Sequence, residues 1–370
     1  MPAKALPEGC EPACRGCAHG RLSAVDSAAQ KQAWLARALA PWVDRLAPLR
    51  TPDRRLGYRD RVALSAQWLD GAWRVGMLQR DAVLDIRHCP VHSPRVRDAL
   101  AALLPALPPG EAFPLAFYVQ AGAQLTLVLK TAQMPPLAWL DDALSDALAR
   151  AGVEALWLQL YPAAGRHLFH KRGWRLLWGH PESRDAEGLV YGPAAFQQLI
   201  PALYRQSLDA AQAFLAPRHG DRVVDLYCGN GRSLRRWDEA GARTLGVERG
   251  AEAVTCAARN AAAATLLRGP CAQRLPQVRA WAAAMDGGDG SRRLLYANPP
   301  RTGLESEVRA WLAEDYLPRR LAYLSCSAGT LRRDLAALCE AGYAVSALMP
   351  YDFFPRTHHV ECLALLQREE

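Results

Sequence analysis

Apolar positions change their rhythm near the middle of the chain. In the first half Leu35, Leu39, Trp42 and Leu46 recur at helical spacing, which predicts a helix from Asp26 to about Leu46, with Pro41 placed to kink it or end it early. Leu56–Trp68 and Ala72–Gln79 read as strands joined by a turn at Asp70-Gly71. A second helix is predicted from Pro94 to about Leu104, with further strands at Leu115–Gln120, Leu125–Lys130, Ala155–Leu160 and Trp174–Leu177. Beyond the midpoint, Val223–Tyr227, Arg243–Val247, Leu294–Ala297 and Leu321–Ser325 are short continuous apolar runs, each followed by a turn and a helix-compatible stretch. Strands alternating with helices predict an α/β domain with a doubly wound parallel sheet covered on both faces. The expected organisation is an arm and helix over 1–50, a central α+β domain over 51–190, and the α/β domain over 191–370. The last boundary falls near Val190-Tyr191-Gly192-Pro193.

Composition narrows the class. A chain of 370 residues exceeds the usual single domain. No apolar run approaches a membrane span, and Met1 to Leu6 holds no signal-peptide core, so a soluble, cytoplasmic protein is expected. The formal charge of +8 is dominated by arginine, which attracts polyanions and forks well onto phosphates. Arg59 and Arg61 are candidates for phosphate contact, with ordinary surface charge as the competing reading.

Ten cysteines are unevenly spread. Cys10, Cys14 and Cys17 form a tight group and Cys89 follows next to Pro90. In a cytosolic protein such a group reads as metal ligation or redox chemistry before disulfides. Four thiolates suit zinc or an iron–sulfur cluster, and the gap of about seventy residues to the fourth is long for a zinc ribbon.

The run from Val223 to Ser233 is a strand entering a glycine turn that opens a helix. Gly229 and Gly231 let backbone approach a ligand closely, and Glu248 ends the next strand, where a carboxylate can take both hydroxyls of a ribose. A dinucleotide fold shares these features, but Leu234 stands where its third glycine belongs. Asp225 before the turn suits the ammonium of a methionine moiety better than a pyrophosphate. These two details favour S-adenosylmethionine.

Three later runs carry chemistry. Tyr296 to Gly303 reads Y-A-N-P-P-R-T-G at a strand end, the side on which doubly wound sheets bind ligands. Cys326 lies between the next strand and a helix that Ser327 or Thr330 is placed to cap, a position that lowers a thiol pKa. A cysteine after a buried strand is more often a small core residue, so Cys326 gains meaning only from company. Phe353 to Glu361 leads into a final strand and sets Glu361 beside aromatic neighbours, where a carboxylate can become a base near neutrality. His358 and His359 are the rival bases. Together these groups fit methylation at C5 of uracil. A thiolate added to C6 makes C5 nucleophilic, and a base then removes the C5 proton.

The motifs D-L-Y-C-G-N-G at Asp225–Gly231, N-P-P-R-x-G at Asn298–Gly303, S-C-S-x-x-T-L-x-R-D at Ser325–Asp334 and F-P-x-T-x-H-x-E at Phe354–Glu361 resemble the RNA uracil-C5 methyltransferase family, as does F-Q-Q at Phe196–Gln198. The resemblance extends over essentially the whole chain. It implies a class I S-adenosylmethionine-dependent methyltransferase domain, with cofactor contacts at Gln198, Tyr227, Glu248 and Asn298, Cys326 as nucleophile and Glu361 as base. Members acting on 23S ribosomal RNA are similar in carrying three early cysteines and a later Cys-Pro that bind a [4Fe-4S] cluster, which implies Cys10, Cys14, Cys17 and Cys89 as its ligands. The few residues before Cys10 leave no room for the small TRAM β-barrel of longer members, so the chain resembles the short form. Asn298 stands where many members have Asp, Ile200 where Asn is usual, and Ser327 where Asn is usual after the nucleophile.

The expected partner is RNA, with no membrane and no protein partner. Two other classes compete. A cofactor- and RNA-binding assembly factor without turnover is disfavoured by Cys326 and Glu361. A dinucleotide-dependent iron–sulfur oxidoreductase is disfavoured by N-P-P-R and the missing glycine.

Overall fold

The computed structural model describes residues 5–165, 167–284 and 291–368. The chain divides into two units by contact, and it visits each twice. One unit is Met1–Arg21 with Arg54–Leu199, and the other is Leu22–Asp53 with Ile200–Glu370. The expected three-part division is thereby redrawn. The arm belongs with the central strands, the helix after it belongs with the α/β unit, and the later boundary lies at Leu199 instead of near Tyr191.

Helix α1 (Ala24–Ala38) is capped by Ser23, whose side chain accepts from the Asp26 amide. It is shorter than its apolar rhythm predicts. A 3₁₀ turn over Ala40–Arg45 takes over, with Pro41 in its first positions and Trp42 off helical geometry, because proline lacks the donor an α-helix needs there. Leu35 and Leu39 pack into the core of the α/β unit.

The first unit is built on a seven-stranded sheet, β1 (Arg61–Leu69), β2 (Ala72–Gln79), β3 (Ala82–Asp85), β4 (Leu115–Ala121), β5 (Gln124–Leu129), β6 (Ala155–Leu160) and β7 (Trp174–Gly179), in the order β3-β2-β1-β4-β5-β6-β7. Asp70 and Gly71 both take positive φ at the β1–β2 turn, as a tight hairpin demands. The first strand begins at Arg61, not Leu56, since Arg59 is held in an isolated bridge to His92. Helices α2 (Pro94–Leu103) and α3 (Asp142–Arg150) bury Leu100, Leu103, Leu144 and Leu148 in this unit's core. The four residues of β3 are too few to show a period, whereas α3, with Leu144 and Leu148 at helical spacing, was missed.

The second unit holds helix α4 (Pro201–Leu215) and then alternates β10 (Arg222–Leu226), α5 (Arg232–Glu239), β11 (Arg243–Glu248), α6 (Ala251–Asn260), β12 (Thr265–Arg268), α7 (Cys271–Ala284), β13 (Arg293–Ala297), α8 (Ser306–Trp311), β14 (Arg320–Ser325), α9 (Ala328–Glu340), β15 (Tyr343–Tyr351) and β16 (Glu361–Arg368). The short pair β8 (Ser183–Arg184) and β9 (Val190–Tyr191) lies in the first unit. Strand order is β12-β11-β10-β13-β14-β16-β15. The first five are parallel, as predicted, and the last two run antiparallel to their neighbours. This is a class I methyltransferase-type α/β architecture. Order reverses between β10 and β13, so ligand chemistry is expected beyond the carboxyl ends of those strands.

Candidate active site

Beyond β10, Tyr227 takes φ 60°, Gly229 57° and Gly231 85°, a left-handed path that glycine follows without strain. A Cβ on Gly229 would meet nothing within 4 Å, so the turn borders open space. Glu248 reaches back to this turn from the end of β11. Its Oε2 accepts from the Gly229 amide at 3.1 Å and its Oε1 from the Gly250 amide at 2.6 Å. Leu234 replaces the third glycine because the close approach is made from the strand instead. A Cβ on Gly246 would lie 2.5 Å from Leu234 Cδ1. The open glycine turn and the Glu248 carboxylate fit an adenosyl ribose.

Asp225 is fully buried. Its Oδ2 accepts from the Trp237 indole at 2.9 Å, and burial still pushes its carboxyl up to about 7 against the pull of the Ser233 and Trp237 donors. Asn298 follows β13, its amide donating to the Leu226 carbonyl at 3.3 Å. Its side chain approaches Tyr204 of α4, a phenol pushed up to about 12 by burial. Tyr227 donates to Glu305. Gln198 closes the first unit, one residue before its boundary, apart in the chain's division from the other cofactor candidates.

Cys326 and Glu361 come from neighbouring strands. β14 and β16 are antiparallel, with Ser325 opposite Cys362, which sets Cys326 and Glu361 one residue past the last pair. Glu361 is buried and Cys326 half-buried. The helix start after Cys326 does not lower its thiol pKa as the sequence suggested. Burial raises it, the Glu361 charge raises it further, and Arg301 pulls it down. Ser327 is the N-cap residue of α9 but its side chain makes no capping bond, and the Thr330 hydroxyl donates to the Ser327 carbonyl. His358 is exposed and His359 half-buried, their rings 4.2 Å apart.

Three positioning groups escaped the sequence reading. Asp334, the last residue of its motif, is fully buried and accepts from the Leu304 amide at 3.0 Å, the Tyr323 hydroxyl at 2.9 Å and Arg333 Nε at 2.9 Å. It thus ties the loop after Asn298 to the helix after Cys326. Lys31 of α1 is buried, donates to Asp352 Oδ1 at 2.6 Å and to the Phe354 carbonyl at 3.1 Å, and so holds the loop leading to Glu361. Arg301, inside N-P-P-R, acts on Cys326 through charge. Motif membership was the available signal for Asp334 and Arg301, whereas Lys31 gave none.

In the first unit, Cys10, Cys14, Cys17 and Cys89 are all half-buried and free of disulfides. Cys14 lies 3.6 Å from Met77 Sδ. Burial raises the Cys89 thiol pKa, the Val91 and His92 amides oppose this, and the charges of Cys14 and Cys10 add to it. The side chains of Cys10, Cys14 and Cys89 therefore share one neighbourhood. No group of three His, Cys, Asp or Glu among the described residues is close enough to hold a metal ion. Arg61 is not a free surface cation, since its guanidinium lies 5.0 Å over the Phe196 ring and burial lowers its pKa. Among the described residues no helix is long and apolar enough to cross a membrane.

Comparison with known proteins gives the family. Residues 276–369 match the model of the tRNA (uracil-5-)-methyltransferase family. The chain is 30% identical over 371 residues to the 23S rRNA (uracil(1939)-C(5))-methyltransferase RlmD of Aromatoleum aromaticum, covering 96% of this chain and 83% of that one. It is 31% identical to the corresponding protein of Bordetella pertussis, covering 96% and 78%. The fold matches that of the Pyrococcus abyssi tRNA (uracil-54, C5)-methyltransferase, solved with S-adenosyl-L-homocysteine, at a TM-score of 0.68, 19% identity and coverage of 96% and 86%. On the strength of relatives that align across nearly its whole length, the chain belongs to the RNA uracil-C5 methyltransferase family.

Proposed function

We propose that the chain methylates C5 of a uridine in 23S ribosomal RNA. The observation that carries this reading is the placement of Cys326 and Glu361 at the adjoining ends of β14 and β16. When bound, S-adenosylmethionine supplies an electrophilic methyl group. Gly229 and Gly231 would give it backbone access, Glu248 would take its ribose, Asp225 would face its ammonium, and Tyr227 and Asn298 would complete its contacts. Cys326 adds as thiolate to C6 of the uracil, which moves electron density to C5 and makes that carbon the nucleophile for the methyl. Glu361 then takes the C5 proton. The C5–H electrons restore the C5–C6 double bond, and Cys326 leaves as thiolate. Arg301 favours the thiolate at both ends of the cycle. A flipped or loop uridine reaches such a thiol at the lowest unstacking cost.

Cys10, Cys14, Cys17 and Cys89 are proposed to hold a [4Fe-4S] cluster in the first unit. The charge coupling of Cys89 to Cys14 and Cys10 supports this, and a cubane spaces its thiolates more widely than a single zinc ion does. The protein would act in the cytoplasm. The test is to map 5-methyluridine in ribosomal RNA from a strain lacking the protein and to restore it with purified enzyme. A full complement of 5-methyluridine in the deletion strain would refute the assignment.

A further inference from the structure

From Ala155 to Pro181 the sequence holds no Asp or Glu, while Lys and Arg recur among Trp, Tyr and Phe. This segment builds β6, β7 and the connection between them, and β7 is the edge strand of its sheet. Trp157 and Trp174 meet edge to face, ring centroids 6.1 Å apart, and Phe169 lies 4.9 Å from Trp174. All three are only half-buried. The two indoles are fixed in place by hydrogen bonds. Trp157 Nε1 donates to Gln124 at 2.7 Å and Trp174 Nε1 to the His170 carbonyl at 3.0 Å. Gly173, with φ 88°, brings the connection back so closely that a Cβ would lie 2.2 Å from the Leu160 carbonyl oxygen.

Lys171 and Arg172 are exposed on the connection that leads into Trp174, and Arg175 is exposed next to Trp174 on β7, on the other face of that edge strand. None of the three makes an ion pair among the described residues, whereas Arg74, Arg235, Arg236 and Arg279 each have a carboxylate partner. Unneutralised cations interleaved with rigid, half-open aromatic faces form the pattern that tracks a phosphate backbone while stacking successive bases.

We propose that this β6–β7 edge is a second RNA surface, a stacking platform for a single-stranded stretch of the substrate away from the methylated uridine. The assignment rests on the RNA reading of the active site and extends it to how the substrate is held. The edge anchors the RNA and takes no part in the chemistry, so it governs KM and salt dependence and leaves kcat alone.

The full-length protein is titrated with single-stranded oligouridylate and with 23S ribosomal RNA over a range of salt, S-adenosylhomocysteine binding serving as the fold control. The triple variant Lys171→Gln, Arg172→Gln, Arg175→Gln should lower the logarithmic salt slope by about 2 and weaken both RNAs, since each phosphate contact on a single strand contributes about 0.7. Trp174→Ala should weaken oligouridylate by about tenfold. Because Trp174 packs on its neighbours, the exposed triple variant decides if Trp174→Ala loses S-adenosylhomocysteine binding. Both variants should keep the parent kcat at saturating RNA. Parent-like slope and affinity in the triple variant would overturn the proposal. So would a change in its sedimentation without a change in RNA affinity, which would give the edge to a second copy of the chain. Product digestion in the same reactions scores 5-methyluridine. If the parent forms none, the reaction reading fails, while the difference in slope still judges this surface.

Discussion

Cys326 and Glu361 sit side by side because β14 and β16 are antiparallel and end together, with Ser325 opposite Cys362. The carboxylate raises the thiol pKa, so both groups cannot easily be charged at once. That conflict suits a cycle in which the thiolate is consumed by C6 before the carboxylate takes a proton. Replacing Glu361 by Gln should leave thiol addition and methyl transfer intact and block elimination. A covalent protein–RNA species should then accumulate, since losing a general base costs about a hundred- to ten-thousand-fold. A protease-sensitive band shift with labelled RNA and S-adenosylmethionine detects it. Normal turnover by Glu361→Gln, with trapping by a His358 or His359 variant instead, would move the base to the histidines. Cys326→Ala should abolish both turnover and adduct while cofactor binding persists.

The thiol also sets a pH limb. With its pKa raised by burial and by Glu361, the reactive thiolate fraction grows as pH rises, so kcat/KM should climb on the alkaline side of neutrality. Removing the Arg301 charge takes away the opposing influence, and Arg301→Gln should shift that limb to higher pH. In Glu361→Gln the rate of adduct formation should show the limb shifted to lower pH. An unmoved limb in both variants would mean that a group other than Cys326 controls it.

Much of this was legible from sequence because the parallel strands are continuous apolar runs and the motif residues sit at their carboxyl ends. Val223, Leu245, Leu294 and Leu321 announce the sheet by their neighbours alone. The misses have physical causes. The helix drawn to Leu46 stops at Ala38, since the apolar rhythm continues through a 3₁₀ turn that proline imposes. Strand β3 has four residues, too few to show a period. The thiol pKa went the wrong way because helix position was weighed without the burial and the carboxylate that only the folded chain supplies. Lys31 and Asp352 are 321 residues apart, a distance over which no local pattern carries information.

That pair makes a stability prediction. Both side chains are nearly inaccessible, at 0% and 6% exposure, and deleting one partner of a buried ion pair costs about 3–5 kcal/mol. Lys31→Met should therefore lower the melting temperature by about 10 °C, while Lys31→Met with Asp352→Leu recovers part of the loss. Thermal unfolding followed by circular dichroism checks this. A shift of under about 2 °C in the single variant would show that the pair is solvated in solution.

For the arm, protein purified without oxygen should be brown and carry about four irons per chain. Serine at any of Cys10, Cys14, Cys17 or Cys89 should bleach the absorbance and loosen the arm to protease. Stoichiometric zinc without iron would give the four thiols to a single metal ion.

Asp225 offers the sharpest test of the cofactor site. In the free protein its carboxyl is pushed up to about 7, chiefly by burial. If the methionine ammonium is its counter-charge, the bound state favours carboxylate and binding releases a proton. The sign follows from linkage. Protonated Asp225 must lose its proton to bind, so affinity rises with pH through the free-state value and levels off above it. S-adenosylhomocysteine should bind about tenfold more weakly at about pH 6 than at about pH 8. Asp225→Asn should bind weakly at every pH and show no such slope. The competing role is purely structural, with Asp225 anchoring Trp237 of α5 through their 2.9 Å hydrogen bond. In that case the wild-type affinity is flat over this range and no proton is released. Calorimetry in two buffers of different ionisation enthalpy counts the proton directly. A flat profile with no proton released would leave the ammonium to another group.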